Sequence, residues 1–137
     1  MMELTGGCHC GAVRYRVSGE PVHVALCHCS DCRKCAGAPM VAWAAFADED
    51  FAHEQGEVTT RNSSGASLRS FCPRCGTGLF FRNDEALPGL VDIQSATLDD
   101  PDALVPQVQI QVAERIGWMA EAHRLPEFAR FPSGPNE

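Results

Sequence analysis

Eight cysteines fall in three short clusters: Cys8-His9-Cys10, Cys27-His28-Cys29-Ser30-Asp31-Cys32-Arg33-Lys34-Cys35, and Cys72-Pro73-Arg74-Cys75. Sulfurs separated by one or two residues point into one small volume, and that is the pattern of thiolates converging on a metal ion. Cys8 and Cys10, two apart on extended backbone, project from the same face. Cys72 and Cys75 form a knuckle whose turn is eased by Gly76, a residue free to take a positive φ. A thioredoxin-like redox pair is the weaker reading of Cys72 and Cys75, because Gly76-Thr77-Gly78 would break the helix such a pair must open. Cys8, Cys10, Cys72 and Cys75 together supply a closed four-thiolate zinc site joining distant parts of the chain, a structural role. The middle cluster leaves three outcomes open. Cys27, Cys29 and Cys32 with a free fourth position describe a reactive zinc; adding Cys35 describes an inert one. Cys29-x2-Cys32-x2-Cys35 also matches the start of a ferredoxin-type run, but the fourth ligand position falls on Pro39. His9 and His28 alternate with cysteines, so on extended backbone they point away from the metal and read as hydrogen-bonded or surface histidines. Arg61, Arg69, Arg74 and Arg82 lie in a stretch without an acid. Guanidinium groups match carboxylates, although a solvated strand face is the plainer reading of any one of them.

The elements that position these residues must come from one chain of 137 residues, the length of a single domain spanning 1–137. The apolar share of 45% is that of a globular protein. The run Met40–Ala47 is too short to cross a bilayer, and Met1-Met2-Glu3 carries no secretory signature, so a cytoplasmic location without membrane association is expected. Reducing conditions there favour metal ligation over disulfides. A net charge of −7 argues against binding nucleic acid.

Short strands separated by turns are the dominant pattern, predicting a mainly β domain of antiparallel strands. Ala12–Val17 alternates apolar and basic side chains, the period of a half-buried strand. Val22–Leu26 leads into the second cluster. Ser30–Ala36 predicts a helical turn with Ser30 or Asp31 as its N-cap. Met40–Phe46 is continuously apolar and reads as a strand buried on both faces. Glu57–Arg61 and Ala66–Phe71 flank a turn at Asn62–Gly65, and Leu79–Arg82, Leu90–Ala96 and Val105–Val112 complete the strands. A short helical turn is expected at Pro101–Leu104. Residues 126–137, rich in Pro, read as a tail that wraps the surface or frays.

Gly6-Gly7-Cys8-His9-Cys10-Gly11-Ala12-Val13-Arg14-Tyr15, Cys27-His28-Cys29-Ser30-Asp31-Cys32-Arg33-Lys34, Gly37-Ala38 and Arg69-x-Phe71-Cys72-Pro73-x-Cys75-Gly76-Thr77 resemble the glutathione-dependent formaldehyde-activating enzyme and centromere-protein-V family. The resemblance extends over nearly the whole chain, to Gly56 and Trp118. It implies a β-tent built around zinc knuckles, with a structural zinc on Cys8, Cys10, Cys72 and Cys75 and a catalytic zinc on Cys27, Cys29 and Cys32. The implied reaction is reversible addition of glutathione to formaldehyde, giving S-hydroxymethylglutathione, formally carbon–sulfur lyase chemistry on a small thiol and a small aldehyde. For that chemistry Arg33, Lys34 and Arg69 are candidate anchors for glutathione carboxylates, and Ser64 a candidate donor to the oxyanion; surface charge and turn chemistry are the competing readings. The chain departs from the family in two places. Cys35 is an additional cysteine, and Gln109 and Gln111 stand where members often carry a histidine. A non-catalytic zinc module for partner or metal binding, and a lyase or hydrolase on another thiol or carbonyl substrate, are the alternatives, since one fold supports all three.

Overall fold

A computed structural model describes residues 2–132. Its strands are β1 (Glu3–Gly7), β2 (Arg14–Ser18), β3 (His23–Cys27), β4 (Val41–Ala47), β5 (Phe51–Gln55), β6 (Thr59–Ser64), β7 (Ser67–Phe71), β8 (Gly78–Arg82), β9 (Leu90–Gln94) and β10 (Val108–Ile110), with one helix, α1 (Ser30–Ala36). They build two sheets, β1-β2-β5 and β10-β3-β4-β9-β8-β7-β6. The fold is mainly β, as the pattern of short strands predicts.

Burial follows the side-chain periods. Along β2, Tyr15 and Val17 are buried, while Arg14 and Arg16 face outward to Asp99 and to Glu3 and Glu54. β4 pairs with β3 on one side and β9 on the other, and Trp43, Ala44, Ala45 and Phe46 are all buried, which accounts for its unbroken apolar run. Tyr15 and Val17 from the small sheet share a core with Phe46, Leu79, Phe80, Val91 and Ile93 from the large one. Phe80 meets Phe51 and Tyr15 edge-on, at centroid distances of 4.9 and 5.3 Å, and such pairs contribute about 1 kcal/mol each beyond area burial. The Tyr15 hydroxyl is satisfied by Thr97 Oγ1 at 2.7 Å.

The structure differs from the sequence pattern in several elements. β1 and β5 carry no clear alternation and were not expected; both pair antiparallel with β2 and gain their order from it. β6 runs through Asn62 and Ser63 to Ser64, so the hairpin turn is tighter than Asn62–Gly65. The N-cap of α1 is Cys29, not Ser30 or Asp31: its sulfur accepts the Cys32 N–H at 3.2 Å, and the Ser30 amide instead donates to Glu114. Val105–Val112 contributes only three strand residues, and these run parallel to β3, the exception in an otherwise antiparallel arrangement. Residues 126–132 are exposed and lack strand or helix; 133–137 lie outside the described residues. Among the described residues, no helix is long and apolar enough to cross a membrane.

Candidate metal centres and the adjoining cavity

The first cysteine group is assembled from two turns. After β1 the chain folds back, with Cys8 N–H donating to Val13 O at 3.1 Å and Val13 N–H to Cys8 Sγ at 3.2 Å. After β7, the Gly76 N–H returns to Cys72 O at 2.8 Å and Gly76 takes a φ of 84°, the knuckle expected from its sequence. His9 N–H donates to Thr77 Oγ1 at 3.1 Å and ties one turn to the other. The sulfurs of Cys8, Cys10, Cys72 and Cys75 all lie within 4.8 Å of one another. The Thr77 hydroxyl and backbone hold the Cys75 thiol down to about 5, so this sulfur is disposed to be a thiolate.

The second group is built at the junction of β3 and α1. Cys27 ends the strand, Cys29 caps the helix and Cys32 lies in its first turn; their sulfurs also fall within 4.8 Å of one another. Cys32 is held down to about 5, first by Cys27 and then by Cys29 and Arg69, whose Nη2 is 3.6 Å from the sulfur. Cys27 is pushed up in turn by Cys32 and by burial. Three sulfurs this close favour one negative charge among them, and full ionisation calls for a cation in their midst. The donor set therefore fits a thiophilic divalent metal.

Cys35 lies outside this group. It is exposed, its sulfur is 4.0 Å from Arg61 Nη1, and it lines a neighbouring cavity of about 290 Å³. His9 is exposed; His28 is buried, with Nε2 2.8 Å from Gln109 Oε1. Gln109 thus meets a histidine from the turn just after the strand beside it, and Gln111 reaches the cavity edge with a φ of 57°.

The three-sulfur group opens on a cavity of about 390 Å³ walled by Trp43 and Phe81, with ring centroids 5.7 Å apart. Ser64 and Arg69 also line it, but their polar atoms converge on Asp31. The Asp31 carboxylate accepts from Ser63 Oγ, Ser64 Oγ and Arg69 Nη2, each at 3.0 Å. Arg69 also donates to Ser63 Oγ at 2.8 Å and lies 4.9 Å over the Phe81 ring. Arg33 and Lys34 line a separate groove with Ile116 and Trp118. Sequence reasoning missed Asp31, His23 and Asp92, all of which line the main cavity. Asp92 did leave a trace: it is a lone acid between Val91 and Ile93, which face the core.

Two sheets meeting at a four-cysteine pair of knuckles, with a three-cysteine group at the mouth of a cavity, define a β protein with two cysteine clusters that could each hold a metal ion. The model of the glutathione-dependent formaldehyde-activating enzyme family matches residues 3–114, and the chain belongs to that family. A Halomonas elongata protein whose name provisionally assigns it to the same family is 33% identical, covering 96% of this chain and 90% of the relative. A Schizosaccharomyces pombe protein named as an uncharacterized lyase is 32% identical over 59% of this chain and 58% of its own length. A solved structure of a Rhodobacter sphaeroides protein shares the fold, with a TM-score of 0.62 at 24% identity, covering 77% of this chain and 99% of that one.

Proposed function

We propose that this chain is a zinc-dependent carbon–sulfur lyase-type enzyme that adds a thiol such as glutathione reversibly to a small aldehyde such as formaldehyde. The observation that carries this reading is the three-sulfur centre at the cavity mouth, with Cys35 outside it. Cys27, Cys29 and Cys32 would hold the zinc, and Cys8, Cys10, Cys72 and Cys75 a second, structural one. Zinc bound by three thiolates supplies a place where a substrate thiol ionises near neutral pH.

The chain's own residues prepare the rest. Arg69 donates to Cys32 Sγ and offsets part of the thiolate charge, while Asp31 fixes the guanidinium. Trp43 and Phe81 give the approach an aromatic wall. In the forward reaction the sulfur forms a bond to the aldehyde carbon, the carbonyl π pair moves to oxygen, and that oxygen takes the proton the thiol gave up. No electrons are gained or lost overall.

The test compares two cysteine variants. Cys35→Ser is expected to keep both metals and the accelerated exchange of formaldehyde with glutathione, read by NMR. Cys32→Ser is expected to lose one metal equivalent and the acceleration. Loss of a metal from Cys35→Ser would make the middle centre a closed four-thiolate site and end the enzyme reading.

A further inference from the structure

Asp92 is a buried carboxylate in the same cavity that the chemistry above leaves unused. Its side chain is 6% exposed. Its Oδ1 has no hydrogen-bond partner among the described residues; His23 Nε2 stands 3.4 Å away, at ion-pair distance but outside hydrogen-bonding geometry. Asp31, the other carboxylate lining the cavity, takes three donors on its Oδ2 and is 35% exposed, and the guanidinium of Arg69 is committed to Asp31, Ser63 and Cys32. Asp92 is therefore faced by a single candidate counter-charge, the partly exposed His23, in a cavity whose guanidinium is already taken.

Its position follows from the sheet register. His23 pairs with Ala45, Ala45 with Asp92, and Asp92 with Phe81, forming one row across β3, β4, β9 and β8. Cys27 lies four residues further along β3 than His23 and so on the same face, about 13 Å away along the strand at its ordinary rise. Trp43, between those rows, paves the floor. The cavity thus has a thiolate end and a carboxylate end, separated by an aromatic surface.

We propose that Asp92 anchors the ammonium group of a thiol substrate whose sulfur reaches the Cys27–Cys29–Cys32 centre, so that the cavity selects peptide-like thiols with a free amine. This rests on the thiol-binding reading above and adds what recognises the far end of the thiol. An ammonium supplies a permanent positive charge and the hydrogen-bond donors that the 3.4 Å pairing with His23 leaves missing. Burial pushes the Asp92 carboxyl up to about 6, a cost that a neighbouring cation offsets. A γ-glutamyl-cysteinyl unit, with about eight bonds between sulfur and nitrogen, spans roughly 10 Å when extended and can lie along the Trp43 floor between the two ends.

Cobalt(II)-loaded protein offers a direct readout, because a thiol entering the open centre alters its visible absorption. The probes are glutathione and its desamino analogue, in which hydrogen replaces the amine. Wild-type protein is expected to bind glutathione at least tenfold more tightly than the analogue. Asp92→Asn should bring glutathione down to the analogue's affinity and leave the analogue unchanged within twofold. Equal binding of the two thiols by wild type overturns the proposal without any variant having to fold, and so does an equal loss for both in Asp92→Asn. If neither thiol alters the spectrum, the thiol reading itself fails and the Asp92 anchor falls with it.

Discussion

At the scale of single residues, Asp92 shows how a side chain can cost stability where it sits. An aspartate in an unfolded chain titrates near 4, and burial raises this one to about 6. Between those values the folded protein holds a proton that the unfolded chain has released. Stability therefore falls as pH rises through that window, and the full deficit persists above it. Asp92→Asn keeps the shape and removes the charge. It is expected to stabilise the protein at pH 7.5 by up to about 3 kcal/mol, with the gain disappearing near pH 4. Thermal melts of both proteins across that range check this, and a variant no more stable than wild type at pH 7.5 would refute it. The cysteines were legible in the sequence because their spacing is itself geometric information. Asp92 and His23 were not, since a single polar residue on a strand has no spacing to read and its importance depends on which strands lie beside it. Ser64 and Arg69 were singled out as contacts for a substrate; their hydrogen bonds to Asp31 depend on a helix that packs over the sheet from more than thirty positions away.

Elements were legible in proportion to how much of their order is local. β4 announced itself by an unbroken apolar run, β2 by alternation. β5 did neither, because four of its five residues are exposed and it is held by its edge pairing with β2. Just beyond it, Gly56 takes a φ of 83°, and a Cβ there would meet Ala12 O at 2.1 Å. Backbone cannot step aside as a side chain can. Gly56→Ala is expected to cost about 2–4 kcal/mol, from conformational strain and overpacking together. Gly11 is the natural control: its φ is 82°, yet nothing lies within 4 Å of the added carbon. Gly11→Ala should cost only about 1 kcal/mol, so equal losses in denaturant titrations of the two variants would contradict the steric argument. Cys29 at the start of α1 belongs to this scale too. Serine and aspartate are the usual caps, so sequence propensity pointed one or two positions too late. A sulfur already required at the centre takes the capping position instead.

For the molecule as a whole, the four-sulfur group matters because of what it joins. Cys8 and Cys10 follow β1 of the small sheet, while Cys72 and Cys75 lie between β7 and β8 of the large one. A metal held there would crosslink the two sheets at the edge of their shared aromatic core, whereas the middle centre links only β3 to the helix that follows it. Metal removal should accordingly be unequal in its effects. Cys72→Ser is expected to lower the melting temperature by 10 °C or more, on the order of several kcal/mol. Cys32→Ser should lose its metal with a much smaller shift. Calorimetry on metal-replete samples decides this, and equal shifts would place the crosslink elsewhere.

β10 closes the cavity from the other side, and its pairing has a dynamic meaning. It is three residues long, all exposed, at the edge of the large sheet, and it runs parallel to a strand some eighty positions earlier. A contact that closes so long a loop with so few bonds forms late and opens early. Amide hydrogens at Gln107 and His28, which bond across this seam, should therefore exchange with solvent through local opening, long before those of β4 and β9 are released by global unfolding. The aromatic floor on β4 and β8 belongs to the part expected to exchange slowly, while the wall carrying Ile110 and Gln111, and the His28 turn it is bonded to, belong to the part expected to exchange fast.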